Sequence, residues 1–128
     1  MGHSARSKIG NVSRIPRDGK AVVTTGKVSY LLSQERSNGK WKLFNALGYT
    51  EENPEELQHD LREGLKNNGG EELIKTETGE HVYNVVMELG RTSKADVLTV
   101  WQIDREGDNP RFITAYKAKK RRSGGETV

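Results

Sequence analysis

The sequence has no cysteine among its 128 residues. Disulfide bonds therefore contribute nothing to its stability, and the chain suits a reducing cytosol. Long apolar runs are missing too, which predicts that no segment spans a membrane, and no signal peptide is recognisable at the N-terminus. Because 32% of the residues are hydrophobic and 30% are charged, we expect one modest core beneath a heavily solvated surface.

Motifs for metal and cofactor chemistry are also missing. There is no His-x-x-x-His or Cys-x-x-Cys pair, and the acidic residues cluster on a predicted helix without ligand spacing. No glycine-rich phosphate loop and no Ser–His–Asp signature is present. We therefore expect neither a metal nor another cofactor.

The net charge of +3 conceals an uneven distribution. Residues 51–80 contain ten acidic and three basic side chains, whereas basic residues predominate on both sides of this segment. Basic ends suit a polyanion such as a nucleic acid. The plainer interpretation of such charges is a solvated surface.

Local patterns predict helices in the first half of the chain. Residues 40–47 are predicted to form a short helix that ends at Gly48, because apolar residues recur every third position at Trp41, Phe44 and Leu47. A second helix starts with a cap at Asn53 and ends near residues 67–70, with a stripe formed by Leu57, Leu61 and Leu65. Residues 21–32 fit either a strand or a short helix.

Strand patterns fill the second half. Residues 80–89, 97–103 and 111–117 are rich in β-branched and aromatic types and are separated by short polar loops, which predicts two successive hairpins. Residues 71–78 are a candidate further strand. The order predicts an α+β fold, with N-terminal helices packed on one face of an antiparallel β-sheet meander. The predicted organisation is a flexible basic arm (1–20), one domain (21–118) and a mobile basic tail (119–128).

Strand pairing assigns side chains to faces, because alternate residues point to opposite sides of a sheet. We pair Tyr83 with Trp101 and Asp104 with Arg111. One face is then apolar and is predicted to cover the core: Val82, Val86, Leu98, Val100, Ile113 and Ala115. The other face carries aromatic and hydroxyl groups and is the predicted site: His81, Tyr83, Thr99, Trp101, Thr114 and Tyr116.

Five stretches follow one another in a set order. They are Gly39-Lys40 before Lys42-Leu43-Phe44 and Leu47-Gly48-Tyr49, then Glu52-Asn53-Pro54-Glu55-Glu56-Leu57, Gly79 with Tyr83, Val100-Trp101-Gln102-Ile103, and Pro110-Arg111-Phe112-Ile113-Thr114-Ala115-Tyr116. The resemblance that they carry covers roughly residues 21–117. It resembles a bacterial family of nuclease-like domains in the barnase/EndoU/colicin/RelE-like (BECR) superfamily.

The resemblance implies a function. Domains of this kind are often the C-terminal toxins of polymorphic toxin systems, including contact-dependent growth inhibition. It implies a metal-independent ribonuclease that cuts tRNA or rRNA, with a cognate immunity protein and, in the target cell, a translation factor as partners. It also implies delivery by secretion or from a cell surface, with action in the cytoplasm of the target cell. The alternative is a non-enzymatic RNA-binding or protein-interaction module on the same fold.

Metal-independent RNA cleavage needs a base, an acid, and donors that stabilise charge on the phosphate. The predicted catalytic residues are His81, Thr114, Tyr116 and Lys40, of which Lys40 matches the family's Gly-Lys and the Thr114–Tyr116 pair its Thr-Ala-Tyr. The predicted substrate-binding residues are Arg111, Lys42, Tyr83 and Trp101, and His59 is a fallback acid or base. The plainer interpretations are strand packing for the aromatic and hydroxyl groups and solvation for the lysines.

Overall fold

The computed structural model describes residues 13–75, 77 and 79–118. These residues form helices α1 (Thr25–Leu32), α2 (Trp41–Ala46) and α3 (Pro54–Asn67), then strands β1 (Glu71–Lys75), β2 (His81–Leu89), β3 (Ala95–Ile103) and β4 (Arg111–Lys117). The strands form one antiparallel sheet in the order β1-β2-β3-β4. The predicted α+β fold, with helices before a meander, is confirmed.

Helix α3 follows its sequence pattern closely. Pro54 occupies the first turn, where its missing N–H costs nothing. The three predicted stripe residues are all fully buried: Leu57, Leu61 and Leu65. One detail was wrong, because the Asn53 side chain makes no capping hydrogen bond.

The two shorter helices begin and end at recognisable signals. Thr24 caps α1 by accepting a hydrogen bond from the Lys27 backbone N–H at 3.2 Å, so most of the ambiguous segment 21–32 is helical. Gly48 follows α2 with φ of 102°, as the predicted helix end requires. A Cβ at Gly48 would lie 2.9 Å from the Thr92 backbone nitrogen, so the loop after β2 also depends on this glycine.

The register of the sheet was predicted correctly for one hairpin and wrongly for the other. Tyr83 pairs with Trp101, as predicted. In the second hairpin Trp101 pairs with Phe112 and Val100 with Thr114, because a bulge at Ile113 shifts the register by one residue. Arg111 pairs with Gln102 instead of the predicted Asp104. Thr114, which the predicted register placed opposite Trp101, is therefore opposite Val100.

The predicted assignment of the two sheet faces was wrong. The face toward the core holds Tyr83, Val85, Met87, Leu89, Val97, Thr99, Trp101 and Ile103, all of them buried. The predicted core residue Val86 is 49% exposed. The physical reason is that Val86 and its apolar neighbours share their face with Asn84, Glu88, Asp96 and Gln102, whose burial without partners is costly. Ala115, the exception, is fully buried, since the bulge reverses its direction.

The helices pack on this buried face. α3 lies against β2 so closely that a Cβ at Gly64 would fall 2.3 Å from the Met87 sulfur. α1 contacts α2, α3 and β4. No helix in residues 13–75 or 79–118 has the length and apolar character needed to cross a membrane.

The predicted N-terminal arm was wrong for residues 13–20. Ile15 is 1% exposed and belongs to the core, and Ser13 forms a β-bridge with Gly70. Residues 1–12 of the predicted arm, and the predicted tail at 119–128, lie outside the described residues.

Candidate functional site

Three of the four predicted catalytic residues meet at strand β4. Lys40, directly before α2, donates a hydrogen bond from Nζ to Thr114 Oγ1 at 2.8 Å. The same ammonium lies 4.3 Å from the centroid of the Tyr116 ring. Thr114 and Tyr116 are alternate residues of β4 and share a face. We call Lys40, Thr114 and Tyr116 the Lys40 cluster.

The charge of Lys40 is not balanced by a carboxylate. The ion pairs among residues 13–75, 77 and 79–118 do not include Lys40. Burial lowers its pKa from the ordinary value of 10.5. A partly desolvated cation held by a hydroxyl and an aromatic face is therefore free to attract an anion.

Two further predicted cations do not join the cluster. Arg111 donates two hydrogen bonds to the Asp104 carboxylate, at 2.8 and 3.0 Å, and this contact raises the pKa of Arg111 and lowers that of Asp104. Lys42 is exposed on α2, and its side chain has no hydrogen bond or ion pair with the described part of the chain. Arg111 is already committed to a carboxylate, which makes it a weak phosphate ligand.

His81 lies on the opposite face of the sheet. It pairs with Ile103, an odd number of positions from Val100, the partner of Thr114. Its Nδ1 contacts the Glu72 carboxylate, and its Nε2 is 3.6 Å from Glu106 Oε1. The predicted grouping of His81 with Thr114 was therefore wrong, because the bulge turned Thr114 to the other side.

The remaining predicted site residues belong to the core or its margin. Trp101 is fully buried, donates its indole N–H to Thr99 Oγ1 at 2.8 Å, and packs edge-on against Phe112. It therefore has no free face on which a base can stack, and that predicted role was wrong. Tyr83 is 8% exposed and stacks on His81, while burial and the nearby Glu72 raise its pKa.

The fallback residue His59 lies exposed on α3, and the structure gives it no part in the Lys40 cluster. No three His, Asp or Glu side chains of the described residues are grouped so as to hold a metal ion.

One feature beside the Lys40 cluster escaped the sequence analysis. A groove of about 440 Å³ lies between α1 and β4 and is lined by Thr24, Gly26, Lys27, Tyr30, Leu31 and Ile113. The sequence does place Lys27 and Tyr30 on one wall of this groove, because residues three apart share a face of a helix. This relation was not recognised because residues 21–32 were not assigned to a helix.

The cluster has the chemistry of an anion site. An ammonium and a hydroxyl can both donate to phosphate oxygens, and an exposed phenol adds a further donor. Such donors stabilise the negative charge on the non-bridging phosphate oxygens when a phosphodiester is cleaved. The arrangement therefore supports binding and activation of a phosphate group.

Comparison with curated proteins finds no match, and comparison with solved structures finds none either. The resemblance to BECR nucleases accordingly stays a prediction. A family described as a domain of unknown function, DUF6883, matches residues 14–119. The match begins just before the buried Ile15 and ends two residues after β4. The chain therefore belongs to the DUF6883 family.

Proposed function

We propose that this domain is a metal-independent endoribonuclease of the bacterial toxin type and that the Lys40 cluster binds the scissile phosphate. The proposal includes tRNA or rRNA as substrate, a cognate immunity protein as inhibitor, delivery by a larger secreted or surface protein, and action in the target cell's cytoplasm, where a translation factor is a further proposed partner. It rests on the resemblance described above and on one structural observation.

That observation is the partly desolvated ammonium of Lys40, which forms no ion pair with a carboxylate of the described residues. Burying a charge without a counter-charge is unfavourable, and here burial already lowers the pKa of Lys40. Phosphate would supply the missing negative charge at the place where the Thr114 hydroxyl supplies a donor. A structural role alone would be met at lower cost by an apolar side chain of similar length.

The proposed reaction is an internal transesterification. The 2′-oxygen of RNA attacks the adjacent phosphorus, the bond from phosphorus to the 5′-oxygen breaks, and a 2′,3′-cyclic phosphate and a 5′-hydroxyl are formed. Lys40 balances the charge on the non-bridging oxygens, and Thr114 donates to one of them. The Tyr116 hydroxyl protonates the leaving 5′-oxygen, a solvent water acts as the base that accepts the proton of the 2′-hydroxyl, and Tyr116 regains its proton from solvent.

His81 provides a rival centre for the same reaction. An imidazole held by a carboxylate, as His81 is by Glu72, is a typical general base. Arg17 is close enough to Tyr83 to affect its pKa, so a cation lies nearby. We assign the phosphate to the Lys40 cluster because His81 already has two carboxylates, Glu72 and Glu106, that would repel it.

The first experiment is a denaturing gel of total bacterial RNA incubated with the purified chain in EDTA. Discrete new fragments are expected from the wild type. Lys40→Met should reduce cleavage by about 10²- to 10³-fold, the effect of removing a charge-stabilising donor. Tyr116→Phe should reduce it by about 10²- to 10⁴-fold if the phenol is the acid.

Matched controls define the site. Lys66→Met removes a lysine that is paired with Glu63 on α3, and it should leave cleavage intact. His81→Asn should also retain cleavage. Wild-type activity in the Lys40→Met variant, or loss of activity in a folded His81→Asn variant, would refute the assignment.

The same preparation tests the alternative function. Intact RNA in EDTA, and again after addition of magnesium and cell extract, would overturn the ribonuclease proposal. Salt-sensitive binding of RNA without strand scission would then support the binding module, because phosphate contacts release counterions.

A further inference from the structure

The groove between α1 and β4 meets strand β4 at Ile113, the residue before Thr114 of the Lys40 cluster. Ile113 lines the groove, and the next residue, Thr114, accepts the hydrogen bond from Lys40. Ile113 is also the extra residue of the bulge, which leaves it without a pairing partner on β3. A ligand whose phosphate contacts Thr114 therefore has the groove within reach of its adjoining parts.

The lining of the groove suits a nucleobase. Tyr30 is 38% exposed and offers an aromatic ring, while the partly buried Ile113 adds apolar surface. Base–aromatic stacking tolerates any base, because every base has a π-face. Lys27 brings a positive charge to the same wall.

The charge of the groove also favours a nucleic acid as its ligand. None of its lining residues is acidic. In contrast, the cavities beside Asp60, Glu72 and Glu51 each have carboxylates in their walls and would repel a nucleic acid. Of these four cavities, the one next to the Lys40 cluster is the one whose charge is complementary to RNA.

We propose that this groove binds an unpaired nucleobase adjoining the phosphate held by the Lys40 cluster, so that the substrate is single-stranded RNA or a loop. This inference rests on the proposed function. A paired base has its faces covered by stacking within the duplex and cannot present one to Tyr30. The groove therefore selects for the state of the nucleotide rather than for the identity of the base.

Two glycines provide a matched pair of variants. A Cβ added at Gly26, within the groove, would meet no atom within 4 Å, and the same holds for Gly19, outside the groove. Gly26→Leu should fill the groove without disturbing the fold, and Gly19→Leu adds the same side chain elsewhere. Gly26→Leu should melt at the same or a higher temperature than the wild type, because it removes a glycine from α1. This measurement verifies that the variant is folded.

The probe is a fluorescent, single-stranded 2′-O-methyl oligoribonucleotide, which cannot be cleaved because its 2′-oxygens are blocked. Binding is measured by anisotropy, with a series of probes that each lack one base. For one abasic position, wild-type affinity should fall by about 5- to 150-fold, the range for loss of one stacked base. Gly26→Leu should lower the affinity for the intact probe by a similar factor. It should not lower the affinity for that abasic probe any further.

A second pair of variants tests the aromatic ring. Tyr30→Ala should reproduce the loss, whereas Tyr30→Phe should bind like wild type because it keeps the ring. A duplex of the same sequence should bind no better than the abasic probe. The inference would be overturned if the Gly26→Leu and Gly19→Leu variants bound the intact probe equally well. It would also be overturned if Gly26→Leu lowered the affinity for every abasic probe as much as for the intact one.

Cleavage separates this inference from the proposed function. Loss of cleavage in Lys40→Met with normal binding in Gly26→Leu would sustain the ribonuclease and refute the base site. Base-dependent binding to the groove without any cleavage by the wild type would sustain the base site and refute the ribonuclease. No binding of any probe by the wild type would refute the base site.

Discussion

Replacement of Thr99 by Val should destabilise the domain although the two side chains have almost the same shape. Thr99 is fully buried, and its hydroxyl donates to the Val85 carbonyl oxygen at 2.7 Å. The hydroxyl oxygen of Thr99 in turn accepts a hydrogen bond from the indole N–H of Trp101 at 2.8 Å. One hydroxyl thus satisfies two buried groups, one as donor and one as acceptor.

The magnitude follows from these two contacts. An orphaned buried indole N–H costs about 1–3 kcal/mol, and loss of the hydrogen bond to Val85 costs about 0.5–1.5 kcal/mol. Burial of the new methyl group returns about 0.8 kcal/mol. We therefore expect Thr99→Val to lower the free energy of unfolding by about 2 kcal/mol, which is a fall in melting temperature of about 8 °C.

Urea denaturation followed by circular dichroism measures this change, with Thr99→Ser as control. Serine keeps both hydrogen bonds and loses one methyl group, for about 1 kcal/mol. The effect of Thr99→Val should also shrink in a Trp101→Phe background, where no indole N–H can be orphaned. If Thr99→Val is more stable than Thr99→Ser, or costs the same in both backgrounds, the reasoning is refuted.

Two further predictions concern charge. Burial alone would raise the pKa of Asp60, but hydrogen bonds from Arg91 and Tyr49 outweigh burial and lower this pKa. The ionised Asp60 therefore stabilises the fold fully above the pKa of an unfolded aspartate, about 3.9. This stabilisation is lost as the pH falls through the lowered pKa of the folded state. Urea midpoints of the wild type and Asp60→Asn should therefore converge as the pH falls from 5 to 3; parallel curves would contradict this. Lys40→Met should unfold at the same or a higher temperature than wild type at neutral pH, because burial disfavours the ammonium; a clear fall in melting temperature would show that Lys40 is structural.

Periodicity in the sequence predicted α2, α3 and the strands because each of these elements satisfies its local rule, whereas α1 was left open between strand and helix. The stripe through Leu57, Leu61 and Leu65 marked α3, and strand β4 was predicted with its observed limits. The register of the first hairpin was also predictable. In contrast, the sequence around Ile113 gave no indication of the bulge. This segment contains no glycine, and its pattern fits the regular side-chain alternation of an uninterrupted strand.

The error over the sheet faces has a different cause. Tyr83, Thr99 and Trp101 were grouped by their polar atoms, which suggested an exposed site. Their large apolar surfaces decide their position instead, once the indole and the Thr99 hydroxyl satisfy each other. The polar residues Glu88 and Asp96, which pair across the other face, carried the correct signal.

The bulge in β4 is what makes the candidate site possible. With regular alternation from the buried Phe112, Thr114 and Tyr116 would face the core and Ala115 would face solvent. The extra residue reverses this order, so that Phe112 and Ala115 are both buried while Tyr116 is 47% exposed. It thereby brings the Thr114 hydroxyl and the Tyr116 ring to Lys40 and leaves Ile113 to line the adjoining groove. Bulges often redirect side chains beside functional sites, and here a single extra residue accounts both for the Lys40 cluster and for the position of Ile113 in the adjoining groove.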